Sequence, residues 1–504
     1  LVPSAVFAGG RRGGEQSGGS IDMSRELKIV GYLLGEENVG FQNVMKKINE
    51  KLKKDVNATM DIRFIGWGDL SSKYPLILAS GDLDWIYTAP WCYYGQEAQK
   101  GAFMPLSEDM IRQYMPLHYA ALDKAAYKQA TLTVNGKKNF FMIPTSTPDK
   151  KTSAIAIRKD LREKYGIPPI KKFSDIEPYL AAIKRNEPGI IPMMMDNTYD
   201  IKRPFTDQMA EKGMIGEDTY FATGGGLNIM YDWQNTSGKI FTFFEEPYRS
   251  NAIEVCKIVK KWFDLGYINS DVFGNKVRSK ESYAQGKSAV AFGNSGDLVA
   301  PMIAAQENGW ESEEIAILLP SGKRQRDAYT NNGVALAATC RNPGRVLMAL
   351  DKIFDDPEYC MLERIGIEGE NYIINREGKI ALPPGVSAES NTYPDTFFWF
   401  ASQAVLPPRA DWPETYIIHN NELDNILVNN PMTGFELNKS NVKTEEANCN
   451  SVFAQYGTPL FVGAVSNVDA AFTELEQKAR AAGYDKLIDE AKKQIAEFVA
   501  LLNN

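Results

Sequence analysis

Apolar residues cluster at Leu27-Lys28-Ile29-Val30-Gly31-Tyr32-Leu33, a run that predicts a buried strand closed by a loop carrying Gly35 and Gly40. Val44, Ile48 and Leu52 then recur every fourth position, which sets them on one stripe of a helix ending at Lys53-Lys54. Met60-Asp61-Ile62-Arg63-Phe64-Ile65 alternates with the two-residue period of a strand. A helix over 74–79 stops at Ser80-Gly81, and Asp84-Trp85-Ile86-Tyr87 predicts a third strand. Strands separated by helices imply a mostly parallel sheet covered by those helices. Ligands of such sheets bind beyond the carboxyl ends of the strands. Here those ends lead into Gly66-Trp67-Gly68-Asp69 and Thr88-Ala89-Pro90-Trp91-Cys92-Tyr93-Tyr94.

A second unit follows Ile143-Pro144, with a strand over 152–157 and a short helix from Arg158 stopped by Gly166. Residues 251–265 carry Ile253, Cys256, Val259 and Phe263 on one helical stripe, and Ala289-Val290-Ala291-Phe292-Gly293 returns as a strand. The polar, basic stretch 320–330 reads as a crossover between two lobes, before a strand over 333–339 and a helix over 345–354. Two helices end the chain: Val468, Phe472, Leu475 and Ala479 stripe the first, and Leu487, Ala491, Ile495 and Phe498 the second. A capping-box-like start at Ser466-Asn467-Val468-Asp469 and a stop at Gly483 frame the first of them. No repeat of fixed period emerges.

A chain of 504 residues exceeds what one core usually holds, so two packed lobes are the default. A formal charge of −8 without long Lys/Arg runs argues against a nucleic-acid partner. No apolar run is long enough for a transmembrane helix. The Gly- and Ser-rich residues 1–20 predict a disordered tether or an artificial remnant. Within it, Val6-Phe7-Ala8-Gly9 is similar to the end of a lipoprotein signal, with Gly10 where the lipidated Cys would stand.

Searches for chemistry fail in turn. The five cysteines have no C-x-x-C pair, and the two histidines, His118 and His419, lie far apart in sequence. Gly286-Lys287-Ser288 lacks the earlier glycine of a phosphate loop because position 281 is Glu. Gly224-Gly225-Gly226 lacks dinucleotide spacing, and Gly293-Asn294-Ser295-Gly296 is one residue short of a nucleophile elbow. No calcium loop is found, and neither a metal nor a cofactor is expected. A glycosidase needs only two carboxylates, for which Asp69, Asp82, Asp84, Glu245 and Glu246 can be nominated. Asp82 and Asp84 flank a strand start, however, and Glu245-Glu246 precede Pro247 in a polar turn.

Sugar recognition asks for flat apolar rings against C–H faces and planar polar groups for hydroxyls. The predicted loops hold that mixture: Trp67 with Asp69, Trp91 with Tyr93, and Tyr231-Asp232-Trp233-Gln234-Asn235. Phe397-Phe398-Trp399-Phe400, followed by Gln403, Arg409 and Trp412, repeats it. Trp85 on a strand and Trp262 on a helix stripe are assigned to the core.

Trp67-Gly68-Asp69 through Tyr74, Leu76-Ile77-Leu78-Ala79-Ser80-Gly81 and Asp84-Trp85-Ile86-Tyr87-Thr88 resemble the first lobe of family 1 extracellular solute-binding proteins. Asn331-Asn332-Gly333-Val334-Ala335, Asp356-Pro357-Glu358-Tyr359 and Gly366-Ile367-Glu368-Gly369 resemble the lipoprotein-like, oligosaccharide-binding branch of that family. Gly434-Phe435-Glu436-Leu437, Gln455-Tyr456, Pro459-Leu460 and Ala481-Ala482-Gly483-Tyr484-Asp485-Lys486 are similar to its distinctive C-terminal region. The likeness runs from about Glu26 to the end.

The resemblance implies an α/β, two-lobed periplasmic-binding-protein type II fold, each lobe a mostly parallel sheet flanked by helices, with a helical C-terminal extension. The first lobe is expected from 21–149 plus 330–380, the second from 150–329 plus 381–504. It further implies a non-enzymatic monomer outside the cytoplasm, in the periplasm or as a cell-surface lipoprotein. Such a protein captures a short oligosaccharide in the interlobe cleft and delivers it to the membrane subunits of an ABC importer. Its link to the membrane surface would be a lipid anchor not present in this chain. The candidate ligand-binding residues are Trp67, Asp69, Trp91, Tyr93, Trp233, Asn332, Trp399 and Arg409. A carboxylate-pair hydrolase, or a binder of the same fold for a peptide or an acidic sugar, stays open as an alternative. A surface adhesin without a ligand is a third.

Overall fold

The structure is a computed structural model that describes residues 21–502, apart from 215–229, 232–236, 388, 389, 395, 434, 436, 439 and 440. Trp233, the glycines 224–226, Gly434 and Glu436 lie outside the described residues, as does the 1–20 segment. Two sheets carry the fold, and their strands are numbered here in chain order. The first holds β1 (Leu27–Leu34), β2 (Ala58–Ile65), β3 (Trp85–Thr88), β4 (Ile143–Pro144) and β8 (Gly333–Leu336), in the spatial order β2-β1-β3-β8-β4. The second holds β5 (Ser153–Arg158), β6 (Val290–Asn294) and β7 (Ser312–Ala316), in the order β6-β5-β7.

The two sheets differ in kind. β1 runs parallel to both β2 and β3, because helices α1 (Phe41–Val56) and α2 (Leu70–Ser80) carry the chain back between them. β8 enters antiparallel between β3 and β4. The second sheet departs from the expected parallel arrangement: β6 and β7 each pair antiparallel with β5. Helix α4 (Ser295–Glu307; α3 is Tyr248–Asp264) does join two strands of the same direction. Those strands are not neighbours, because β5 lies between them and both ladders become antiparallel.

Each sheet has its own core. Ile29, Leu33, Phe41, Ile48, Trp85 and Ile86 pack with Val346, Leu350 and Phe354 of α5 (Pro343–Asp355) around the first. Ile155, Ile157, Phe205, Val259, Trp262 and Phe292 form the second. Trp85 and Trp262 are fully buried, and burial of such a ring contributes about 1.5–3 kcal/mol. The C-terminal helices α7 (Val468–Ala481) and α8 (Tyr484–Leu502) close the second core through Phe472, Leu475, Tyr484 and Leu487. Asn467 caps α7 by accepting from the Ala470 amide at 2.9 Å.

One stretch packs elsewhere than its expected lobe. Tyr393, Phe398, Phe400 and Ala401 lie in the first core, although 381–504 reads from sequence as second-lobe chain. The Phe-Phe-Trp-Phe run supplies the reason. Phe397 meets Phe64 at 4.8 Å, Phe398 stacks on Phe41 at 6.2 Å, and Phe400 meets Phe354 at 4.6 Å. Beyond it, α6 (Glu414–Ile426) packs on β7 and α4 of the second unit. The chain therefore crosses between the cores at 144–152, again at 320–332, and a third time at 402–413.

Candidate functional site

The loop after β3 is a tight turn. The Cys92 amide donates to the Ala89 carbonyl at 2.8 Å, and the Thr88 hydroxyl donates to the Cys92 carbonyl at 3.0 Å. This turn leaves Trp91 at its apex, 50% exposed. After β2 a single helical turn, Trp67–Asp69, holds Trp67 with 55% of its surface exposed. Gly35, at φ +105, brings the loop after β1 close to both Trp67 and Phe397. Trp399 arrives from the third crossing region, carried by the aromatic run that buries its neighbours.

These three indoles meet. Trp67 lies 5.8 Å from Trp399 with an interplanar angle of 17°, and 6.4 Å from Trp91 at 28°. A ring sandwiched on both faces would be closed to solvent; Trp67 is half-exposed, so the rings overlap in steps and leave an open apolar face. Tyr87 buttresses the platform from beneath, 5.7 Å from Trp91 and edge-on to Trp399 at 5.6 Å. Its hydroxyl donates to Asn332 Oδ1 at 2.7 Å, and burial pushes the phenol well above its ordinary pKa. Asn332 is therefore a support behind the rings, itself buried.

The remaining candidates sit differently. Asp69 shares the Trp67 turn, but its carboxylate pairs with Lys73 at 2.6 Å. Tyr93 adopts a left-handed backbone at φ 60 and packs on Tyr74 at 5.1 Å, beside the platform's supporting loop. Arg409 is elsewhere: it pairs with Asp411 at 2.7 Å and lines a separate recess with Arg364, Asn371 and Tyr372. Its segment pairs with Ile380 instead of following the aromatic run.

Of the polar groups that gather at the crossings, sequence patterns single out Gln403 but not its three charged partners. Asp149 and Lys151 of the first crossing, Asp327 of the second and Gln403 of the third come together. Lys151 lies 3.0 Å from Asp149 and 3.2 Å from Asp327, and the Gln403 amide donates to Asp149 at 2.5 Å. Burial works against the Lys151 charge, but the two carboxylates prevail and raise its pKa. Asp149 is within electrostatic reach of Tyr87 on one side and of Tyr416 in α6 on the other. Charged residues inside crossover segments are the one sequence signal for the other three, and the polar, basic character of 320–330 does not distinguish Asp327.

Little here resembles a reaction centre. His118 Nδ1 lies 2.6 Å from Asp355, and Ser146 donates to the same carboxylate, so hydroxyl and imidazole meet the acid and not each other. Asp84 accepts from the Val30 amide at 2.9 Å, a structural role. Among the described residues no group of three or more His, Cys, Asp or Glu side chains could hold a metal ion.

A family model described as bacterial extracellular solute-binding protein matches residues 35–347, and one for a domain of unknown function matches 431–500. A carbohydrate ABC transporter substrate-binding protein of Streptococcus pneumoniae is 24% identical over 481 residues, which cover 93% of this chain and 90% of that one. The crystal structure of an N-glycan transport solute-binding protein from Streptococcus pneumoniae superposes with a TM-score of 0.77 at 21% identity, over 94% of this chain and 99% of the other. An alginate-binding protein superposes at 0.64 and 17% identity, over 94% and 98%. At these identities the likeness to the solved structures is one of fold.

Proposed function

The chain belongs to the bacterial extracellular solute-binding protein family, and from that premise we propose that it captures a short oligosaccharide between its two lobes and hands it to an ABC importer. One observation carries the reading. Trp67 lies between Trp91 and Trp399, its ring more than half open, on a surface with few uses except stacking against an apolar ring face. Sugar pyranoses present such faces. The three crossings, with Asp149 between Tyr87 and Tyr416, favour a crevice whose floor is the hinge.

Capture proceeds without covalent chemistry. Open and closed forms exchange, and a ligand that touches both lobes only in the closed form shifts the population toward it. Release to the importer demands modest affinity; a micromolar Kd corresponds to roughly −8 kcal/mol. In this reading the protein works as a monomer outside the cytoplasm, tethered by a lipid at its N-terminal side.

Thermal-shift screening against mannan, xylan, chitin, pectin and glycosaminoglycan fragments tests the proposal. At a hundredfold excess over Kd a cognate fragment adds about 2.7 kcal/mol of stability. Uniform melting across all fragments would remove the binding role. New reducing ends in the same incubations would make the protein a hydrolase.

A further inference from the structure

We propose that Asp149, Lys151 and Asp327 form the polar wall of the binding crevice and restrict its ligand to uncharged oligosaccharides, excluding uronate-bearing ones. The inference rests on the saccharide-binding reading above and names the class of saccharide. Two carboxylates and one ammonium leave the cluster itself with a net negative charge, tied through Gln403 to the segment that carries Trp399 and within electrostatic reach of Tyr87. Lys151 is committed to both acids. Asp149 is fixed by Lys151 and Gln403, yet it keeps 27% of its side chain exposed, so a carboxylate oxygen can still accept from a sugar hydroxyl.

The other charges nearby are directed elsewhere. Lys73 beside Trp67 is paired with Asp69, and Lys150 and Arg326, the chain neighbours of the cluster, both face Asp424. The indole N–H of Trp91 is given to the Asn331 carbonyl, so that polar edge is spent within the protein. A ligand carboxylate would meet Asp149 at short range in a partly desolvated crevice, where like charges repel strongly. Neutral hydroxyls find an acceptor in the same place. The alginate-binding protein of similar fold makes this a real distinction, since alginate is a polyuronate.

Calorimetry on the full chain with neutral mannan, xylan and chitin fragments, set beside alginate and galacturonate fragments of equal length, tests the inference. At least one neutral fragment is expected to bind a hundredfold or more tighter than any uronate. Asp149→Asn and, separately, Asp327→Asn are expected to narrow that ratio at least tenfold while each variant still melts cooperatively. Uronate binding equal to or tighter than neutral binding in the wild type would overturn the inference and leave the saccharide-binding reading standing. An unchanged ratio in both folded variants would overturn the role of the cluster. Binding of no saccharide at all would remove the broader reading and this one together.

Discussion

The indole nitrogen of Trp91 donates to the main-chain carbonyl of Asn331 at 2.9 Å, across 240 positions of sequence. This bond ties the loop after β3 to the second crossing, the stretch by which the chain returns to the first sheet. It also fixes the ring by its polar edge and leaves its face open. The platform and the second crossing are thus one connected unit.

Trp91→Ala is expected to weaken binding of the cognate oligosaccharide at least tenfold, about 1.4 kcal/mol, with the fold intact. Stacking of one ring accounts for about 0.5–1.5 kcal/mol beyond area burial, so the loss matches one lost platform member. Trp91→Phe keeps a face but not the bond to Asn331, and should fall between. Calorimetry giving unchanged affinity for Trp91→Ala would take this residue out of the site.

Asn332 accepts from a buried phenol, and its loss leaves the Tyr87 hydroxyl without that acceptor. Asn332→Ala should cost about 1–3 kcal/mol of stability. Combining it with Tyr87→Phe removes both partners, and the pair should cost less than the sum of the single changes. Urea titration measures this; strict additivity would mean the bond contributes nothing.

Gly463 joins the C-terminal extension to α3. Its backbone is left-handed at φ +81, and an added Cβ would stand 2.5 Å from the Lys260 Cα. Gly463→Ala therefore combines backbone strain with a main-chain clash, together about 2–5 kcal/mol. A melting temperature equal to wild type would show that the extension docks differently.

Glu314 of β7 is buried, with Oε1 3.4 Å from His419 Nε2, and burial pushes its carboxyl up to about 8 from an ordinary 4.5. Between those values the folded chain holds a proton that the unfolded chain has lost, so stability falls as pH rises across the window. His419, held by burial below its ordinary 6.5, acts in the opposite sense, and only at lower pH. The clean range is therefore about pH 6.5–8. Melting curves of Glu314→Gln should gain on wild type as pH rises through it; parallel curves would contradict the assignment.

All five cysteines are reduced and buried. Burial lifts the Cys92, Cys340 and Cys449 thiols to about 12, and those of Cys256 and Cys360 higher still. With so little thiolate at neutral pH, an aromatic disulfide reagent should titrate none of them in the native protein and all five in denaturant. Rapid labelling of even one would show that its core opens readily.

Much of the first sheet is legible in the local pattern. The four-residue stripe of Val44, Ile48 and Leu52 and the alternation of Met60 to Ile65 encode α1 and β2 directly, and both are present. The exposed rings at Trp67 and Trp91 follow from the rule that parallel strands end at the ligand side. The second sheet was less legible, because periodicity reports burial and not direction. Nothing between Ser153 and Ala316 announces that β5 lies between β6 and β7. Arg409 is close to the aromatic run in sequence, but the chain turns away before reaching it.

By itself the sequence determined β1, β2, β3, β5, β6 and β8, helices α1, α3, α5, α7 and α8, and which of Trp67, Trp85, Trp91 and Trp262 are core and which stand at strand ends, since these depend on spacing within one element; β7, α4 and α6 were not legible in it. Tertiary structure alone decided that Trp399 joins Trp67 and Trp91, and that Asp149, Lys151, Asp327 and Gln403 share one place. Those meetings depend on how Phe397, Phe398 and Phe400 wedge against Phe41, Phe64 and Phe354, and on where three crossings converge. Contacts between residues far apart in the chain are selected by packing of the whole core, and no local period records them.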